Sequence, residues 1–271
     1  MAAEQRHGGL RLLVENVGRR TCGGIEELGY VFLLLLESLY WLVLGKRRRQ
    51  PVRMAAMFQE ALQVGVLAVP IVAVLSFAVG VMLAIQAIET LRIFGAESKV
   101  VLGVALAVTR EFAPLIVGIL VAGRSGSAIT ARIGTMHESQ EIDALRVVGI
   151  NPVRHLGAPV LVAMLVMVPT LTILGDLAGI LGGGVYTALE LKMTLGAYAH
   201  RTVEILTVDD LRQGLVKSLV FAVIIALVGV SNGFQVGSGA EGVGRSTTRS
   251  VVLSISFIVL ADMIFTYFLN R

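Results

Sequence analysis

ALQVGVLAVPIVAVLSFAVGVMLAIQAI, residues 61–88, contains no charged side chain. A helix of that length is long enough to cross the roughly 30 Å hydrocarbon core of a bilayer. Four more apolar stretches follow, at about 100–123, 156–186, 211–231 and 250–268. Polar segments separate them at 89–99, 124–155, 187–210 and 232–249, the third mixed and expected to be partly helical, the last Gly-rich. The totals agree with this pattern. Of 271 residues, 55% are hydrophobic and 15% charged, against roughly 25% charged in an ordinary soluble domain. So few polar groups cannot coat a single soluble globule, and disorder needs the opposite balance. A lone Cys22 excludes a disulfide framework, and 30 glycines suit close helix packing in lipid.

Upstream, residues 30–44 (YVFLLLLESLYWLVL) are apolar apart from Glu37 and Ser38. As a helix they reach about 22 Å, short of the core thickness. With Tyr30, Tyr40 and Trp41 at the ends, they read as an interfacial or re-entrant helix. The first 29 residues hold no apolar run of h-region length, so no cleavable signal peptide is expected. The expected fold is an all-α polytopic membrane protein with an N-terminal interfacial helix and five transmembrane helices. It divides into an N-terminal segment, 1–54, and a membrane domain, 55–271.

Basic residues set the orientation. The N-terminal region, the 124–155 loop and the 232–249 loop together carry 15 Lys and Arg, against 6 on the opposite side. The N-terminus is expected in the cytoplasm and the C-terminus outside. The cluster Lys46, Arg47, Arg48, Arg49 beside an apolar helix reads as a topogenic patch for anionic lipid rather than nucleic acid. Pro70, Pro114 and Pro169 invite kinks in the first three spans. The spacings Gly118/Ala122, Gly175/Gly179/Gly183 and Gly229/Gly233 predict close helix contacts.

Arg110, Glu111, Asp176, Lys217 and Asp262 fall inside apolar spans. A charge at mid-bilayer costs at least about 2.5–3.5 kcal/mol, so such groups face the bundle interior and take partners. Arg110 and Glu111 are sequence neighbours, so each needs its partner on another helix. Asp210 and Lys217, two helical turns apart, share a face. The expected pairs are Glu111 with Lys217, and Arg110 with Asp210 or Asp176. Two roles fit: a fixed polar network that sets helix register, or a gate whose pairing changes during transport.

Thr135 and Glu138 form a T-x-x-E pattern, predicting a helix start there. Gly149 and Asn151-Pro152 predict its end. Between them Ile142, Leu145 and Val148 make an apolar stripe, with Glu138, Glu141, Asp143 and Arg146 on other faces. An amphipathic helix between two spans is either a docking element or a surface helix packed on its own bundle or lying at the lipid interface. No P-loop occurs, and Gly237/Gly239/Gly242 match G-x-G-x-x-G without a βαβ context. His7, His137, His155 and His200 lack ligand spacing, so no metal site is expected.

The stretch AGRSGSAITARIGTMHESQEIDALRVVGINP (122–152) closely resembles the signature of MlaE-type permeases, the membrane subunits of lipid-transporting ABC systems associated with MCE proteins. TREFAPLIVGILVAGR (109–124), GDLAGILGGG (175–184) and GAEGVGRSTTRSVV (239–252) resemble further blocks of that family. One departure is Gln140-Glu141, where the family usually has Glu-Gln. The resemblance implies a non-catalytic permease in the bacterial inner membrane. It implies a second copy of the chain, a pair of cytoplasmic ABC ATPases, a periplasmic hexameric MCE-domain protein, and a STAS-domain protein on the ATPase. It implies a glycerophospholipid substrate moved between inner and outer membranes to maintain outer-membrane asymmetry. No cofactor is expected on this chain; ATP and Mg belong to the ATPase. The coupling helix would be about 135–148, and the family's charged residues match Arg110, Glu111, Asp210 and Lys217. The lipid route would be an apolar cavity between two copies. Leu83, Ala87, Thr90 and Phe94 share one face near the outer end of the first span and either line it or pack on their own bundle. The competing function is a secondary transporter driven by protons through Glu111, Asp176 and Asp262, although no internal inverted repeat is present.

Overall fold

The computed structural model describes residues 2–45 and 53–269, with the side chains of 22–45 and 53–268. The basic run at 46–49 lies outside the described residues, as do the side chains of Arg6, Arg11, Arg19, Arg20 and Arg271. The described secondary structure is helical: α1 (Ala2–Leu44), α2 (Met54–Val64), α3 (Val69–Ile93), α4 (Val100–Ala107), α5 (Ala113–Val121), α6 (Ser127–Glu138), α7 (Glu141–Val147), α8 (Ala158–Glu190), α9 (Leu195–Ile205), α10 (Val208–Phe234) and α11 (Gly239–Leu269). A 3-10 turn at Val66–Ala68 joins α2 to α3, and another at Glu97–Lys99 leads into α4. π turns at Val108–Phe112 and Ala122–Gly126 join α4, α5 and α6 into one rod, and a third at Val153–Gly157 leads into α8.

Among the described residues, six segments are long and apolar enough to cross a membrane: Cys22–Leu44, Met54–Ile93, Glu97–Glu138, Val153–Glu190, Val208–Phe234 and Gly239–Phe268. The segment expected as a 22 Å stub at 30–44 is the end of α1. Cys22 to Gly29 are helical too, so its apolar part runs 23 residues, enough by length and composition to cross. Its C-terminal half is tied to the chain beyond α7. Asn151 Nδ2 donates to Glu37 Oε1 at 2.7 Å, and the Arg154 guanidinium stacks 5.4 Å above the Trp41 ring.

Three boundaries differ from the sequence expectation. The segment 124–155 is mostly helix rather than loop, because α6 carries the second span on to Glu138. Ile129 and Ile133 are buried at helical spacing, so apolar packing propagates the helix through Thr135. The Thr135 hydroxyl consequently donates back to the Ala131 carbonyl at 2.9 Å instead of capping a new helix. The break falls at Gln140, whose φ of 59° is left-handed, and α7 starts at Glu141. The C-terminal end lies where expected: Gly149 takes φ 80°, and Ile150 N donates to Leu145 O at 2.8 Å. Likewise only 235–238 remain non-helical in the Gly-rich stretch 232–249, since α11 begins at Gly239.

The prolines divide by context. Pro70 and Pro114 occupy the first turns of α3 and α5, immediately after a 3-10 and a π turn, where the missing N–H costs little. Pro169 lies within α8, which continues through it.

Glycine sets two close crossings. In α3 and α8, a Cβ on Gly80 would lie 1.9 Å from the Gly179 carbonyl oxygen, so neither helix could approach as it does with a larger residue. In α10, a Cβ on Gly214 would lie 2.4 Å from the Thr109 carbonyl oxygen in the first π turn. Further along, Phe221 faces Gly118, and Gly233 faces Ile133. α10 thus runs parallel to the α4–α6 rod. α11 runs antiparallel to both, with Ser250 against Thr130 at 2.9 Å and Thr266 against Glu111 at 2.9 Å.

Candidate functional site

The charged groups of the second span sit in the π turn Val108–Phe112. A π turn adds a residue to the helical repeat and re-aims the side chains around it. Gly214 brings α10 against that turn, and Asp210, Gly214 and Lys217 lie on one face of α10, four and seven residues apart. The result is two pairs. Arg110 Nε donates to Asp210 Oδ1 at 2.6 Å. Lys217 Nζ lies 2.5 Å from Glu111 Oε2 and 3.0 Å from Asp262 Oδ1.

Lys217 has no solvent exposure, so its ammonium is held by two carboxylates and the Thr266 hydroxyl, 3.0 Å away. Thr266 in turn donates to Glu111 Oε2. Two carboxylates around one buried cation make an unbalanced cluster. Moving the ammonium would leave like charges facing each other in a low-dielectric site.

Asp210 has a second task. Its Oδ2 accepts from the backbone N and the hydroxyl of Thr207, both at 2.8 Å, closing a capping box at the start of α10. The Arg110 partner is therefore fixed by the helix end itself. Asp176 does not join the network. It is buried, its Oδ1 has no hydrogen-bond partner, and it makes no ion pair among the described residues. Arg110 and Asp176 are not brought together because α10, not α8, lies along the face of the π turn that Arg110 occupies. Sequence reasoning placed Asp262 in the membrane but not on Lys217, and it missed Thr266 and the Thr207–Asp210 cap. The signals were present: Asp262 and Thr266 are four apart on one helical face, and T-x-x-D precedes an apolar run.

At the far end of the rod, α7 presents two unlike faces. Ile142 is 1% exposed and belongs to the main apolar core, and Leu145 is half-buried. Val147 and Val148 are 88% and 75% exposed. Glu138, Glu141 and Asp143 are exposed; Glu141 accepts from Ser139 Oγ at 3.0 Å and Asp143 pairs with Arg146 at 2.9 Å. The expected stripe is therefore split: Ile142 anchors the helix and Val148 does not.

The four residues offered as a cavity face are also split. Leu83 and Ala87 are half-buried against the cluster of Ala84, Ile88, Val104 and Val108. Thr90 is exposed, and Phe94 is 76% exposed. α3 ends at Ile93, so Phe94 does not continue the helical face.

The family model described as Permease MlaE matches residues 57–268. The chain belongs to the MlaE permease family. Among relatives of this MlaE permease, a "Probable ABC transporter permease protein" of Rickettsia bellii is 32% identical over 254 residues, covering 94% of this chain and 96% of its own. A protein of that description from Synechocystis is 34% identical over 189 residues, covering 70% and 72%. The chloroplastic protein TRIGALACTOSYLDIACYLGLYCEROL 1 of Arabidopsis thaliana is 33% identical over 190 residues, covering 70% of this chain and 54% of its own. This MlaE permease is a multi-span inner-membrane protein. Its family is one of ABC transporter permeases, in which the ATPase is a separate subunit.

Proposed function

We propose that this permease moves glycerophospholipids between inner and outer membranes, driven by a separate pair of cytoplasmic ABC ATPases, and so maintains outer-membrane lipid asymmetry. Two copies form the unit. A hexameric MCE-domain protein receives or delivers lipid on the periplasmic side, and a STAS-domain protein binds the ATPase. ATP and Mg are held by the ATPase alone. The orientation that serves this arrangement puts α7 and the basic loops in the cytoplasm and the C-terminus outside.

The observation that carries the reading is α7: a short helix at the end of a membrane rod, anchored inward by Ile142, with Val147 and Val148 left bare beside Glu141 and Asp143. An apolar tip with an acidic flank suits docking into a groove on another subunit. The name of the Arabidopsis relative, which is that of a galactolipid, supports a lipid as the class of substrate. In this reading the Lys217 cluster is the element whose pairing changes when the ATPases close, because it links α10 and α11 to the rod that ends at α7. The lipid route is an apolar cavity between two copies.

The test is reconstitution of the purified chain with its ATPase in liposomes carrying a fluorescent phospholipid. ATP-dependent lipid movement that is lost with Val147→Asp supports the reading. Undiminished coupling in Val147→Asp and Val148→Asp argues against α7 as the docking element.

A further inference from the structure

A crevice of about 290 Å³ opens between α2 and the second π turn, lined by Glu60, Gln63, Val64, Leu67, Arg124, Ser125, Ala128, Ile129 and Arg132. It lies fourteen residues along the rod from Arg110, about 21 Å by helical rise, so it is separate from the Lys217 cluster. Four polar atoms of its lining residues are buried without hydrogen-bond partners: Arg124 Nη1, Ser125 Oγ, and Arg132 Nε and Nη2. Buried donors left unmade are costly and uncommon. Arg132 is only partly committed: Nη1 donates to Gln63 Oε1 at 3.3 Å, and Nη2 lies 2.6 Å from Glu60 Oε1 as an ion pair without hydrogen-bond alignment. Two guanidiniums against one carboxylate leave the crevice with an excess positive charge.

The rest of the wall is apolar. Val64 and Ile129 are buried, while Leu67 and Ala128 lie exposed at the mouth, on a face of the membrane helices. The π turn Ala122–Gly126 aims Arg124 and Ser125 together into this space. Guanidinium pairs with a hydroxyl suit phosphate oxygens, and apolar residues at the mouth suit the first carbons of acyl chains.

We propose that this crevice binds the headgroup phosphate of an anionic membrane phospholipid, with Arg124, Arg132 and Ser125 as donors. The charge excess and the apolar mouth favour a lipid over a free phosphate ion. The proposal does not depend on which molecule the permease transports.

The test is native mass spectrometry of the detergent-solubilised full chain with phosphatidylglycerol, diacylglycerol or inorganic phosphate. Phosphatidylglycerol should bind, and Arg124→Gln should weaken it by about tenfold, the loss expected for one charge-assisted hydrogen bond. Ala128→Phe, which blocks the mouth and leaves the guanidiniums in place, should weaken it similarly. Gly196→Ala, in open space on α9, should leave it unchanged. Equal binding in both crevice variants, equal binding of diacylglycerol, or displacement of the lipid by millimolar phosphate would each overturn the proposal. Loss of binding in the crevice variants while phospholipid transport proves absent would sink the transport reading and leave this site standing.

Discussion

Lys217 Nζ lies between Glu111 Oε2 at 2.5 Å and Asp262 Oδ1 at 3.0 Å, so one fully buried ammonium joins the first π turn, α10 and α11. Removing the ammonium leaves two carboxylates facing each other, whereas removing one carboxylate leaves the ammonium still paired. Lys217→Met should therefore cost about 3–5 kcal/mol of stability, with Glu111→Gln milder. The triple variant Lys217→Met/Glu111→Gln/Asp262→Asn should recover part of the loss. Thermal unfolding in detergent reads the order directly.

Asp210 both caps α10 and pairs with Arg110, and substitutions separate the two tasks. Asp210→Asn keeps an acceptor for Thr207 and weakens the ion pair. Asp210→Ala loses both, so it should be less stable than Asp210→Asn by about 1 kcal/mol, the usual worth of a cap. Equal stability of the two would show that the cap contributes nothing.

Gly214 allows α10 to touch the Thr109 carbonyl, and that contact sets the register of both charge pairs. Gly214→Ala places a Cβ 2.4 Å from a backbone oxygen that cannot swing aside. The helix must shift, at about 1–3 kcal/mol. Transport by the reconstituted complex should fall, while Gly196→Ala, in open space on α9, should leave both stability and transport unchanged.

The two sides of α7 predict two phenotypes. Ile142→Asp puts a charge in the core and should prevent accumulation of folded protein. Val147→Asp should leave the melting temperature unchanged and abolish co-purification of the ATPase. Pull-down together with thermal unfolding distinguishes them.

Much of this architecture is legible in the sequence because charge-free runs of membrane length leave few alternatives to helices. Glu111–Lys217 is also legible, and Arg110–Asp210 is legible as one of two alternatives with Asp176, since uncompensated charges in apolar spans need partners and Asp210 and Lys217 share a face. What is not legible is what tertiary packing overrides. T-x-x-E at Thr135 and T-x-x-D at Thr207 look alike, yet only the second caps a helix. Buried Ile129 and Ile133 carry α6 past Thr135, whereas Leu206 and Thr207 are already extended before α10. The π turn at Arg110 has no periodic signal, since it adds only one residue to the repeat. The face joining Leu83 to Phe94 assumed a straight α3 beyond its end at Ile93.

In the proposed function this permease moves phospholipid at the expense of ATP hydrolysed by another chain. The most direct measurement is transfer of a fluorescent phospholipid in proteoliposomes holding the chain with its ATPase, with ATP and with a proton uncoupler in separate arms. Transfer should require both the ATPase and ATP and be indifferent to the uncoupler. Transfer by the chain alone that collapses with the uncoupler would contradict the proposed function.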